Sequence, residues 1–143
     1  MTDMPTRPFR AEHLAALLVI ALGGALGTLL RYGVSRWIHV ANDGFPWATF
    51  WTNLTGSFLL GFLLIVLLER FPPTRYVRPF IATGILGAFT TMSTYTVETT
   101  LLIKDDHAAT AVVYGLSSVA AGVFLAYAGI ATARVTVGGM SRQ

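Results

Sequence analysis

Four apolar runs free of charge dominate the chain, at 14–30, 44–68, 79–97 and 108–133. A helix needs about 20 mainly apolar residues to cross a hydrocarbon core about 30 Å thick. The runs meet or approach that length, and polar punctuation separates them. Residues 41–46, Ala-Asn-Asp-Gly-Phe-Pro, read as a turn. Phe71-Pro72-Pro73-Thr74 stops a helix, and Lys104-Asp105-Asp106-His107 makes a tight polar loop. The pattern predicts helices over about Glu12–Val40, Trp47–Arg70, Val77–Ile103 and from residue 108 to about Arg134. Residues 1–11 are expected to be disordered, 12–136 to form one four-helix transmembrane domain, and 137–143 to be a short polar tail. Arg7 and Arg10 precede the first run as in a signal peptide. That run continues past Leu30 and three more come after it, so the first helix is read as retained.

Composition agrees with an all-α integral membrane protein. The 143 residues are 54% hydrophobic and 12% charged, against about 25% charged in soluble domains. Mean hydropathy is +0.62. The absence of cysteine excludes disulfides and thiolate metal sites. His13, His39 and His107 lie far apart near helix ends, which favours structural roles over a metal site. The net charge of +3 reflects loop arginines more than a nucleic-acid partner. Trp37, Trp47, Trp51 and Tyr76 fall near predicted membrane interfaces, where amphipathic rings prefer to sit. Arg7, Arg10, Arg70, Arg75, Arg78, Arg134 and Arg142 share one predicted face. The other holds Arg36 and Lys104, with Arg31 if it is counted. The positive-inside rule then places both termini in the cytoplasm, if the orientation is fixed.

The third span is the least helix-like. It carries Gly84 and Gly87, then Thr90, Thr91, Ser93 and Thr94. Gly weakens a helix and β-branched Thr adds little. Irregular backbone at bilayer depth persists only against protein or a watery cavity. This composition predicts a break between about Gly87 and Thr91. An unbroken helix whose hydroxyls bond to the i−4 carbonyls is the alternative. Asn53, about six residues into the second span, offers two N–H donors to an anion, or glue between helices. Arg31 is an intramembrane cation or a side chain snorkelling to the interface. Thr110, Tyr114 and Ser118 share one face of the fourth span. Gly23 and Gly27, and the series Gly115, Gly122 and Gly129, suit close helix packing. Glu98 is the one acid within the predicted spans beyond the edge residues. It reads as a vestibule group, or as an interfacial acid facing solvent or Lys104. Neutral donors with one fixed cation suit an anion pathway. No nucleophile, base and orienting group occur together, so nothing points to an enzyme.

Three segments resemble the Fluc (CrcB) family of fluoride channels, and the resemblance covers nearly the whole chain. They are 23–32, GGALGTLLRY; 52–61, TNLTGSFLLG; and 84–95, GILGAFTTMSTY. The resemblance implies an antiparallel dimer with two fluoride pores. It implies a structural Na⁺ at the dimer centre, held by the backbone carbonyls of Gly87 and Thr90. Asn53, Met92, Ser93, Thr94, Tyr95, Tyr114 and Ser118 would line the pore. Glu98 and Arg31 would serve the vestibule. Gly122 replaces the family's usual next hydroxyl on the fourth helix, and Met92 and Tyr95 stand where the family usually has Phe. A homodimer is favoured, with a heterodimer of unlike subunits as the alternative. The altered third-helix motif and the lopsided arginine count fit the latter. The expected activity is passive export of cytoplasmic fluoride across the plasma membrane. A small multidrug exporter is disfavoured, since its first helix needs an embedded acid and Glu12 sits at the edge. A tetraspan protein that only packs against others would need neither the Gly–Thr segment nor Asn53.

Overall fold

The computed structural model describes residues 11–38, 44–69 and 75–140. Residues 41–43 of the expected turn, the stop at 71–74 and residues 1–10 of the segment expected to be disordered lie outside the described residues, while Ala11, the last of that segment, already belongs to the first helix. Four helical spans are long and apolar enough to cross a membrane, and no strand occurs among the described residues. The first two are α1 (Ala11–Trp37) and α2 (Trp47–Glu69). The fourth is α5 (Ala108–Met140). It outruns the end expected near Arg134 and takes in most of the predicted tail. Val135-Thr136-Val137 supplies no breaker, and the Thr136 hydroxyl bonds back to the carbonyls of Thr132 at 3.1 Å and Ala133 at 2.8 Å.

The third span is segmented. It opens as a π-helix, Pro79–Leu86, with proline in its first turn where an N–H has no partner. The Gly87 N–H reaches the Ala82 carbonyl, five residues back, as π geometry requires. One α turn comes next, α3 (Gly87–Phe89). Thr90 (φ −76°, ψ 154°) and Thr91 (φ −146°, ψ 118°) are extended. Helix then resumes as α4 (Met92–Lys104). The hydroxyls also bond backwards. Thr90 reaches the Leu86 carbonyl at 3.0 Å, Thr96 the Met92 carbonyl at 2.9 Å, and Thr99 the Tyr95 carbonyl at 2.8 Å. A broken backbone and back-bonded hydroxyls therefore coexist in this span.

The spans pack as two parallel pairs bridged by the third span. α1 lies along the π-helix, where a Cβ on Gly27 would strike the Ile85 carbonyl and one on Gly23 the Phe80 carbonyl. α2 lies along α5: Gly61 meets the Ala126 carbonyl and Gly129 the Phe58 carbonyl. Absent side chains at these positions let the backbones touch, the usual device of membrane helices. Buried apolar residues are few among the described residues, and one cluster of them sits at one end of the bundle. Phe45, Leu102, Ala111 and Tyr114 form this cluster, with Trp47, Phe50 and Tyr95 packed around it, while Leu54, Leu67, Leu86, Phe89 and Ala133 are buried elsewhere. Phe45 meets Tyr114 edge-on, ring centroids 5.3 Å apart. Elsewhere large apolar side chains face outward: Leu22 is 68% and Phe124 70% exposed. Such a surface suits lipid or a second membrane chain, not water.

Candidate functional site

The break is held by one side chain. The Asn53 amide donates from Nδ2 to the Thr91 carbonyl at 3.0 Å, and its Oδ1 accepts from the Thr91 N–H at 2.8 Å. An extended residue inside a span loses both helical partners, and a buried backbone group without one is costly. Asn53 supplies donor and acceptor together, and one amide hydrogen remains uncommitted. Thr91 also caps α4. Its Oγ1 accepts from the Thr94 N–H at 3.1 Å and donates to the Thr94 hydroxyl at 2.9 Å, and the Ser93 hydroxyl lies at 3.3 Å. These bonds divert two donors. In a continuous helix the Thr91 N–H would serve the Gly87 carbonyl and the Thr94 N–H the Thr90 carbonyl. Both carbonyls lose those partners at the break.

Two cavities flank this point, and Thr91 lines both. The first, about 300 Å³, is lined by Asn53, Ser57, Gly87, Thr90 and Met92 among others. Met92 stands at its edge, 72% exposed. The second, about 360 Å³, gathers Thr28, Arg31, Ser35, Thr49, Thr94 and Glu98. Its polar groups are hydroxyls, one guanidinium and one carboxyl group, set among apolar surface that includes Ile38 and Ala48. The carboxyl group is engaged on both oxygens: Thr49 donates to Oε1 at 2.8 Å and Tyr114 to Oε2 at 2.9 Å. Glu98 thus ties α2, α4 and α5 together through two hydroxyls. The Tyr114 ring is fully buried and lies 5.2 Å from that of Tyr95, whose hydroxyl donates to the Gly115 carbonyl at 3.2 Å. One turn along α5 the Ser118 hydroxyl is buried with no partner.

Residues 18–130 match the family described as "CrcB-like protein, Camphor Resistance (CrcB)". The chain belongs to this family. A relative in Thermus thermophilus named "Fluoride-specific ion channel FluC" is 41% identical over 122 residues, 85% of this chain and 95% of the relative. One of the same name in Rhizobium meliloti is 35% identical over 85% of this chain and 98% of its own length. "Fluoride-specific ion channel FluC 3" of Streptomyces avermitilis is 43% identical over 85% of this chain, which spans 59% of that protein.

Within this CrcB-family chain the residues singled out from sequence fall into three groups. Asn53, Gly87, Thr90 and Met92 share the first cavity, while Arg31, Thr94 and Glu98 share the second. Tyr95, Tyr114 and Ser118 line neither. Tyr95 and Tyr114 form the α4–α5 contact instead, the Ser118 hydroxyl is buried without a partner, and Ser93 lies exposed beside the break. Sequence reasoning passed over Thr49 and Ser57. Their signal was spacing: Thr49, Asn53 and Ser57 stand four apart and hence on one face of α2.

Proposed function

We propose that the protein is the subunit of a passive fluoride channel, of which the broken third span and its flanking cavities are the conducting part. The observation that carries this reading is two cavities within the spans that meet at Thr91, each setting amide or hydroxyl donors among apolar side chains, with one carboxyl group that already accepts two hydrogen bonds. A small anion leaving water needs donors in place of its hydration shell. The names of the relatives supply the identity of the anion. HF crosses membranes neutral and ionises in the cytoplasm, so a channel suffices for export: the negative interior drives the anion out. This requires the plasma membrane, with both termini in the cytoplasm if one orientation is kept.

The working unit in this reading is an antiparallel homodimer. Support comes from the exposed Met92 at the open edge of the first cavity, which a second copy would close. Gly87 and Thr90 fit a structural Na⁺ at the centre, because both carbonyls lack their helical donors and carbonyl oxygen suits a hard cation. Such an ion would neutralise carbonyl dipoles facing each other across the interface. A heterodimer is the second reading. It draws on the two numbered relatives of one species, FluC 2 and FluC 3 of Streptomyces avermitilis, and on the arginine bias between the ends of the spans.

Liposomes loaded with fluoride and holding the purified protein test the activity. A fluoride-selective electrode should record efflux once a potassium ionophore collapses the counter-potential. No efflux from a folded protein alone, with efflux on adding a related subunit, would select the heterodimer. No efflux in either case would reject the channel. Replacing Na⁺ by a large organic cation during purification should reduce efflux, and restoring Na⁺ should recover it; indifference to both would remove Gly87 and Thr90 as its ligands.

A further inference from the structure

The face of α2 that carries Asn53 holds two hydroxyl residues, and their states differ. Thr49 is engaged by Glu98. Ser57 makes no hydrogen bond to any described residue, yet it lines the first cavity with Asn53, Thr90 and Thr91. Its hydroxyl faces α5 at a position without a side chain. A Cβ built on Gly122 would lie 3.6 Å from Ser57 Oγ, with nothing else within 4 Å. One turn before Gly122 on α5 stands Ser118, whose hydroxyl is buried and unpartnered. Buried hydroxyls in an apolar bundle normally find a partner, and one that lacks it marks a site for water or a ligand. Ser57 is therefore an uncommitted donor on the face of α2 that meets α5, Gly122 leaves room beside it, and Ser118 is a second uncommitted hydroxyl one turn along α5.

We propose that Ser57 is a fluoride-binding residue of the first cavity, and that the space left beside it by Gly122 keeps its hydroxyl free to turn toward the anion. The inference rests on the fluoride-channel reading. A dehydrated anion takes a hydrogen bond from every donor within reach, and charge-assisted bonds are the strong ones. The hydroxyl contributed by α2 at this level does what a serine on α5 at position 122 would do. Ser57 holds no protein partner, so its removal leaves no backbone or side-chain group orphaned.

The test is Ser57→Ala in the full-length protein in fluoride-loaded liposomes. Efflux should fall about tenfold, the loss expected for one hydrogen bond to an ion, with an unchanged thermal melt. Gly122→Ser placed on Ser57→Ala returns a hydroxyl to the same space from the opposite helix and should restore most of the rate. A merely structural role for Ser57 would show no such rescue. Wild-type efflux from Ser57→Ala would overturn the inference while leaving the channel reading intact. An inactive wild type would overturn both. If Ser57→Ala fails to assemble, Ser57→Cys, close in size and a weak donor, decides between the same outcomes.

Discussion

Replacing Asn53 by alanine should loosen the third span before it touches any ion. Two hydrogen bonds disappear at once, from Nδ2 to the Thr91 carbonyl and from the Thr91 N–H to Oδ1. In a dry interior each orphaned group would cost about 1–3 kcal/mol. Interhelical bonds measured in membranes average about 0.6 kcal/mol and reach about 1.7, because the unfolded chain in the bilayer also finds partners. Thr91 borders both cavities, so water can reach the freed groups. The lower scale therefore governs, and the expected loss is about 1–3 kcal/mol for the pair. Equilibrium unfolding in mixed micelles, followed by circular dichroism, reads this directly. Asn53→Asp is the sharper companion. Its carboxylate still accepts from the Thr91 N–H but sets a second acceptor against the Thr91 carbonyl, so it should lose more than alanine does. An Asn53→Ala protein within about 0.3 kcal/mol of wild type, or an aspartate better tolerated than alanine, would refute the clamp as the support of the break.

Other substitutions probe the neighbouring contacts. Thr91→Ala removes the cap on the Thr94 N–H and should cost about 0.5–2 kcal/mol in the same unfolding assay, while Thr91→Ser keeps most of it. Gly27→Ala should separate α1 from the π-helix because its Cβ meets the Ile85 carbonyl, whereas Gly33→Ala has nothing within 4 Å and should be neutral or stabilising; equal melting temperatures would contradict the packing. Tyr114→Phe leaves Glu98 Oε2 without its donor and should lose about 1.5–3 kcal/mol if the carboxyl group is ionised. A double-mutant cycle with Thr49→Val checks whether the two hydroxyls act on one carboxyl group, and a zero coupling energy would argue that they do not.

Four uncharged runs of membrane length, separated by Asn-Asp-Gly, Pro-Pro and Lys-Asp-Asp, determined the four spans without any tertiary information, because a bilayer leaves the backbone few alternatives. The weak point of the third span was equally legible: glycines followed by clustered hydroxyls are poor helix formers wherever they stand. Local pattern did not reveal which partner each polar group takes. Asn53 read as an anion donor or as glue, and its position opposite Thr91 commits two of its hydrogen-bonding groups to the backbone. Glu98 read as a vestibule group or as an acid facing solvent or Lys104, and two hydroxyls 49 and 16 residues away in sequence claim it. The π-helix of Pro79–Leu86 has no signature of its own; it arises where that segment packs into the groove opened by Gly23 and Gly27. Hydrophobic run lengths act within one segment and are visible along the chain, whereas hydrogen-bond partnerships join segments far apart and exist only once the helices have packed.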